Sequence, residues 1–322
     1  MTTVYAVERN LTLEAVRVTE AAALAAAAHM GMGDERAADQ GALSAIQETL
    51  KSLNIDGTVR IGPGGDDTAL PLHVGEKLGT GRGPAVDVAL MPLEGTSITA
   101  RGGSDALSLF ALAEDGGFLH VPDIYMDKIA VGRGLPAGTI DLDDEPGANL
   151  RRLAETKNVD VDELVVCILD RPRHGKLIGQ VRESGARIML ISDGDVSGAV
   201  ATLLPGSGVD VYMGIGGARQ GVLTAAALVS GGGCMQARLV VRSEEDRRKL
   251  HACGIFDADR KYGASEMAWG EITFAATGVT RGTMLSGVRF LHGHAVTHSL
   301  VMRSTTGTLR YVEAHHNFGH QG

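Results

Sequence analysis

Residues 164–195 read LVVCILDRPRHGKLIGQVRESGARIMLISDGD, and the alternation inside this stretch decides the fold class. LVVCIL (164–169) is a short apolar run of the kind that forms a fully buried strand. The loop DRPRH follows, then GKLIGQVRESG, which reads as a helix. RIMLI (187–191) is the next strand, and SDGD leads into a helix through residue 204. The order repeats with VDVYMG (209–214), the loop IGGARQG, a helix to about residue 230 and the run MQARLVV. Strands alternating with helices at this spacing predict a parallel α/β unit. In such sheets the loops after the strand C-termini converge on a ligand crevice. Those loops here are RPRH, DGD and GIGG, offering arginine forks, carboxylates and exposed backbone amides. That combination suits a phosphorylated polyol.

Upstream the pattern differs. LTLEAVRVTEAAALAAAAHM (11–30) has helical composition, and RAADQGALSAIQETLKSLN (36–54) has helical periodicity with Asp39 expected in its first turn. GTVRIG and VDVALM are strand-like and lie among the glycine-rich stretches GPGGDDTA and GEKLGTGRGP. In VALMPLEGTS (88–97) the strand is expected to break at Pro92, so that a turn presents Glu94, Gly95, Thr96 and Ser97. Such a turn offers a carboxylate for a divalent cation, a glycine that admits an oxyanion close to backbone, and hydroxyl donors. GGFLHVPDIYMDKIAVG (116–132) reads as two short strands around a turn. The run from GVRFLHGHAVTH to YVEAHH alternates as antiparallel pairs, with NFGHQG as a frayed tail. The change of pattern after DLDDEPGANLRRLAETKNVDVDE predicts an α+β domain over 1–158 and an α/β domain over 159–322.

Length and composition narrow the function. At 322 residues the chain holds one large domain or two ordinary ones. Lys+Arg 30 against Asp+Glu 39, a net charge of −9, gives a nucleic-acid partner no electrostatic support, and 4% aromatics leaves little for base stacking. The start lacks a signal-peptide layout, and AAALAAAA (21–28) is too short to span a membrane, so a cytoplasmic protein is expected. Cys167, Cys234 and Cys253 are odd in number and widely spaced, as reduced thiols are. GIGGARQG follows the third strand of its unit, which argues against a nucleotide cofactor. HGHAVTH (292–298) would put three histidines on one face of a regular strand; imidazoles on an exposed strand are the commoner reading than a metal site. His315, His316 and His320 read as surface or interface residues.

Taken together, RVTEAAALA, AADQGA, NIDGTVRIG, GEKLGTGRG, PLEGTSITA, PDIYMDKIAVG, RPRH, ISDGDV and GIGGARQGV resemble the class II fructose-1,6-bisphosphatases, in order from about residue 10 to about residue 315. The resemblance implies a layered α/β sugar-phosphatase fold related to inositol monophosphatases. It also implies Mg²⁺- or Mn²⁺-dependent hydrolysis of the 1-phosphate of fructose 1,6-bisphosphate. By position it implies substrate contacts at Glu94, Gly95, Thr96, Tyr125, Arg171, Pro172, Arg173, Asp193, Gly194, Asp195 and Gly217. Asp67, near the attacking water, and Thr96 fall at catalytic positions, and Asp39 and Glu94 at metal positions.

Three further metal carboxylates of the family are missing. Their positions hold Pro63 in GPGG, Met91 before Pro92, and Gln220 in ARQG, while the lysine usual after GD is Glu35. Mg²⁺ needs hard oxygen ligands, so a proline, a thioether and a neutral amide leave a two-metal clamp without its charge. At most one weakly held Mg²⁺ or Mn²⁺ is expected, on Asp39 and Glu94 with Asp66 or Asp67 as a further donor. The expected function is an enzyme acting on a phosphorylated ketose or related sugar with altered or weakened phosphatase chemistry. The alternatives are a residual one-metal bisphosphatase and a non-catalytic sugar-phosphate sensor or partner subunit. A homo-oligomer, dimer or tetramer, is expected.

Overall fold

The structure, a computed structural model, describes residues 4–319, so His320 lies outside the described residues. In chain order the first elements are α1 (Val4–Ala27), α2 (Glu35–Lys51), β1 (Asp56–Ile61), β2 (Lys77–Leu78), β3 (Ala85–Glu94), α3 (Thr96–Arg101), β4 (Leu107–Glu114) and β5 (Tyr125–Val131). Next come α4 (Pro146–Lys157), β6 (Val165–Leu169), α5 (Gly175–Glu183), β7 (Arg187–Ile191), α6 (Asp195–Ala201), β8 (Val211–Gly217), α7 (Ala218–Gly231) and β9 (Cys234–Val240). The chain closes with α8 (Glu244–Ala252), β10 (Lys261–Gly263), α9 (Ala264–Met267), β11 (Thr273–Gly278), β12 (Arg289–Leu291), β13 (His294–Arg303) and β14 (Thr308–Asn317). This is a mixed α/β fold with two sheets, and no helix of the described residues is long and apolar enough to cross a membrane.

The contacts divide the chain into two units, one of residues up to Phe118 together with Gly270 onward, the other Leu119–Trp269. That division differs from the sequence boundary near 158, for two reasons. Strand β5 hydrogen-bonds to β8 and β9, so residues from 119 belong with the α/β segment. The last strands return to pair with β4 through β11, so the C-terminal residues belong with the N-terminal ones. Backbone pairing partners of this kind leave no signal in local periodicity.

In the first unit the sheet runs β12-β13-β11-β4-β3-β1-β2, with β14 also on β13; β1 and β3 are parallel and the other pairs antiparallel. The alanine run of α1 packs on it: Ala15, Ala22, Ala23 and Ala26 are wholly buried, small enough to bring the helix axis close to β11 and β13. Polar bonds then fix the helix register. Thr19 shares a hydrogen bond of 2.7 Å with Thr277, which shares one of 2.7 Å with Ser299. One turn face away, Thr297 donates to Glu20 at 3.1 Å and lies 2.8 Å from His316 Nε2. His316 is therefore tied into the sheet, not a plain surface imidazole.

In the second unit the order is β10-β9-β5-β8-β6-β7. Only β6 pairs in parallel, with β7 and with β8; β5, β9 and β10 are antiparallel additions, so the expected parallel unit is the core of a mixed sheet. One face carries Ile129, Val131, Val166, Ile168, Val211 and Met213 against Leu150 and Leu153 of α4 and Val181 of α5. The other face meets α6 and α7 through glycines: a Cβ on Gly198 would sit 2.8 Å from Ile191 Cδ1, and one on Gly221 would collide with Met126. Within 116–132 only β5 is a strand; residues 119–124 are irregular.

Glu20 yields a stability test. Burial raises its pKa above 4.5, against smaller lowering effects from the Thr297 hydrogen bond and Arg17. The folded state thus binds this proton more tightly than the unfolded chain, and stability falls as pH rises through 4.5 to the higher folded value. Glu20→Gln removes the charge, so its melting temperature should exceed the parent's at pH 7–8, the difference closing as pH drops below 4.5. Calorimetry across that range checks the sign; a lower melting temperature at neutral pH would refute it.

Candidate functional site

In the second unit the loops after β6, β7 and β8 are organised by the bare backbone of β8. Residues 214–217 read GIGG, and each glycine leaves room for a side chain from elsewhere. A Cβ on Gly214 would stand 3.0 Å from His174 Nε2, one on Gly216 would collide with the Asp195 carboxylate, and one on Gly217 with the Gln220 amide. Ile215 between them supplies both its backbone groups. Its N–H donates to His174 Nε2 at 2.8 Å, and its carbonyl accepts from Arg173 Nε and Nη2 at 2.9 and 2.7 Å. His174 is buried and its Nδ1 donates to the Leu169 carbonyl at 2.7 Å, which makes it the neutral Nδ1–H tautomer. It links the end of β6 to the end of β8 and so shapes the RPRH loop.

Within that loop Pro172–His174 form a 3-10 turn, with Pro172 and Arg173 exposed and Arg171 half-buried. Arg171 Nη1 donates to the Asp170 carbonyl at 3.0 Å. The Arg173 guanidinium lies 5.0 Å from the ring centre of Tyr125, the first residue of β5. Guanidinium groups in a loop at a strand C-terminus suit a phosphate group.

The DGD loop divides its carboxylates between two tasks. Asp193 is half-buried and its Oδ1 accepts from the Gly194 N–H at 3.0 Å. Gly194 caps α6 with φ +91°, a left-handed conformation that glycine adopts at no steric cost. Asp195, the first residue of α6, is buried: Lys128 Nζ and the Tyr212 hydroxyl each donate to one of its oxygens. Lys128 is 1% exposed and also donates to the Gly217 carbonyl at 3.2 Å. One ammonium thus ties β5, the start of α6 and the end of β8 together. Sequence reading missed Lys128, although it lies in the quoted block PDIYMDKIAVG; a single lysine in an apolar strand was the available signal.

In the first unit the decisive feature is the end of β3. Pro92 does not break the strand, which continues to Glu94. Met91 pairs with Leu109 and Glu94 with Leu107, so three steps on β3 match two on β4. The extra residue is a bulge at Pro92–Leu93, where a missing N–H is tolerated. Because Leu109 and Leu107 point to one face of β4, the bulge turns residue 91 and Glu94 to one side as well. Glu94 is 5% exposed and Met91 half-buried. Gly95 follows with φ +91° and hands the chain to α3, where Thr96 and Ser97 are half-buried.

The other first-unit candidates sit apart in character. Asp39 is the fifth residue of α2, one place beyond the expected first turn; it is exposed, and desolvation by the surrounding protein raises its pKa. Asp66 and Asp67 are exposed in the loop after β1, and Asp67 Oδ1 accepts from the Ala69 N–H at 3.0 Å. That loop folds tightly on its glycines: a Cβ on Gly62 would collide with the Leu72 carbonyl, and one on Gly64 would lie 2.6 Å from the Pro71 carbonyl. Pro63, exposed, carries no donor atom on its side chain. Among the described residues no three His, Cys, Asp or Glu side chains form a metal-holding group, HGHAVTH included. Neither Pro63 nor Met91 offers a hard oxygen ligand for a divalent cation.

Breaking the Lys128 pair tests its structural weight. Lys128→Met leaves the Asp195 charge buried without its cation and should cost about 3–5 kcal/mol of stability, read by urea denaturation. Adding Asp195→Asn to that variant should recover much of the loss, since the two residues act as one unit. Equal losses for the single and double variants would contradict the pairing.

The comparisons with known proteins bear on the whole chain. The family model described as "Bacterial fructose-1,6-bisphosphatase, glpX-encoded" matches residues 9–316. The chain is 41% identical over 322 residues to "Fructose-1,6-bisphosphatase 1 class 2" of Escherichia coli (strain K12), with 96% of this chain and 95% of the relative covered. It is similar to the same extent to "Fructose-1,6-bisphosphatase class 2" of Escherichia coli O6:H1 and of Shigella flexneri.

Proposed function

The chain belongs to the class II fructose-1,6-bisphosphatase family, and from that premise we propose that it binds a phosphorylated ketose or related sugar while its metal-dependent hydrolysis is altered or weakened. In this reading the fold is the layered sugar-phosphatase one. Arg171 and Arg173 take a phosphate, and Asp193 accepts from a sugar hydroxyl. Both Asp195 oxygens carry a bond to Lys128 or Tyr212, so its part is to hold the DGD loop and not to reach the sugar. Glu94, Gly95 and Thr96 form the turn that faces the scissile phosphate, and Asp67 accepts a proton from the attacking water.

The observation that carries the reading is the bulge at Pro92. It directs residue 91 and Glu94 to one side, where a second carboxylate would complete a cation site, and residue 91 is a thioether. A single Mg²⁺ or Mn²⁺ on Asp39 and Glu94 would polarise a phosphate oxygen, but two carboxylates hold such an ion weakly.

Two measurements test this. Calorimetry with fructose 6-phosphate and fructose 1,6-bisphosphate should show binding that Arg173→Ala weakens by about 1.5–3 kcal/mol, the range for a bond to a charged group. No binding of any sugar phosphate at millimolar concentration would overturn the proposal and favour a partner subunit. Phosphate release from fructose 1,6-bisphosphate should fall well below roughly 1–100 s⁻¹, within the usual enzyme range, with or without Mg²⁺ or Mn²⁺. Each of Pro63→Glu, Met91→Asp and Gln220→Glu should do little alone. Together, with Glu35→Lys, they should confer Mg²⁺-dependent release, because ligands act as a unit. Ordinary turnover by the parent would instead establish the residual bisphosphatase.

A further inference from the structure

Tyr125 carries two guanidinium groups, and only one belongs to the RPRH loop. Arg173 lies 5.0 Å from the ring centre, and Arg242 lies closer, at 4.0 Å. The sheet register explains the meeting. At the start of β5, Tyr125 pairs with Gly217 of β8 on one side and Val240 of β9 on the other. Arg173 approaches from the β8 side, fixed by its two bonds to the Ile215 carbonyl. Arg242 comes from the chain two residues past the end of β9. Its backbone is fixed too: its N–H donates to Asp246 Oδ2 at 2.8 Å, while the Asp246 N–H donates to Ser243, the N-cap of α8, at 3.1 Å.

The charges are unbalanced. Arg60, Arg152, Arg238, Arg260 and Arg289 each have a carboxylate partner, whereas no carboxylate pairs with the Arg173 or Arg242 guanidinium among the described residues. Both arginines are exposed and Tyr125 is 37% exposed, so the group faces solvent. An aromatic face attracts each cation by about 0.5–1 kcal/mol at an exposed site, which orients the guanidiniums without neutralising them. The Arg242 guanidinium and the Nη1 side of Arg173, whose Nε and Nη2 donate to the Ile215 carbonyl, together suit a compact anion with several acceptor oxygens.

We propose that Arg242 is a phosphate-binding residue, which with Arg173 and Tyr125 forms a site for one phosphate group of the ligand. This rests on the reading of the second unit as a sugar-phosphate site and adds to it a residue from outside the RPRH loop, the DGD loop and the GIGG end of β8. It makes Tyr125 a platform that sets the spacing of two arginines.

The test is titration calorimetry of the full-length protein with inorganic phosphate and, separately, with fructose 6-phosphate, at several salt concentrations. Arg242→Ala, Arg242→Lys and Arg173→Ala are compared with the parent. Arg242 is exposed, so the variants should fold, which circular dichroism confirms. Arg242→Ala should weaken both ligands about tenfold or more and flatten the dependence of affinity on salt, as the loss of one phosphate contact does. Arg242→Lys should keep the salt slope while losing part of the affinity, because the charge remains and the fork does not. Unchanged affinity in Arg242→Ala alongside a large loss in Arg173→Ala would overturn the role of Arg242 and leave sugar-phosphate binding standing. Arginine-dependent binding of inorganic phosphate without binding of fructose 6-phosphate would uphold the anion site and refute the sugar reading. An unaltered salt slope in Arg242→Ala would show that the residue only packs on Tyr125, and would also overturn the proposal.

Discussion

The three glycines among residues 214–217 are the constraint on which the second unit depends. A strand end normally presents Cβ atoms to both faces. Here three glycines withdraw them, and His174, Asp195 and Gln220 occupy the space. The loops after β6 and β7 therefore dock directly on backbone, where the Ile215 amide and carbonyl can reach a ring nitrogen and a guanidinium. A methyl group at Gly216 would separate Asp195 from Lys128 and Tyr212. The glycine-rich run that looks like a phosphate loop in sequence is first a packing device.

The same economy governs the buried charge. Lys128 and Asp195 sit where an isolated ion would be costly, and the pair is tolerable because every strong bond has a partner: the Tyr212 hydroxyl takes the second oxygen and the Gly217 carbonyl a second ammonium proton. What the pair confers is registry, since its two members and the β8 groups bonded to them come from three separate stretches of chain. In the first unit, registry comes from neutral groups instead. The Thr19–Thr277–Ser299 chain needs no countercharge, and Glu20 beside it bears the desolvation that its neighbour avoids.

Legibility in the sequence followed the range of the forces involved. RIMLI is a strand over the residues its composition marks and the helix after RPRH begins at Gly175, because burial periodicity and glycine breaks are local signals. GIGG, by contrast, is the end of β8, and the next helix starts at Ala218, inside the expected loop. Pro92 was misread because proline's effect depends on its partner: opposite β4 it is absorbed as a bulge. The meaning of Asp195 was hidden for a similar reason. Nothing local to a carboxylate after a glycine points to Lys128, 67 residues away, as its partner. Arg242 had no motif at all, and only the pairing of β5 with β9 brings it to Tyr125.

The sequence by itself determined the inventory: which loops carry arginines and carboxylates, which family the chain joins, and that Pro63, Met91 and Gln220 cannot supply the carboxylate charge a divalent cation needs. Those facts are properties of side-chain chemistry and survive any arrangement in space. Tertiary structure alone decided how the inventory is used. It turned Met91 toward the side of Glu94 through one bulged residue, sent Asp195 inward to a lysine, and set a second arginine on Tyr125. Each of these depends on strand register, and register is chosen by the pairing of distant backbone groups and the burial of whole sheet faces, which no local stretch of sequence encodes.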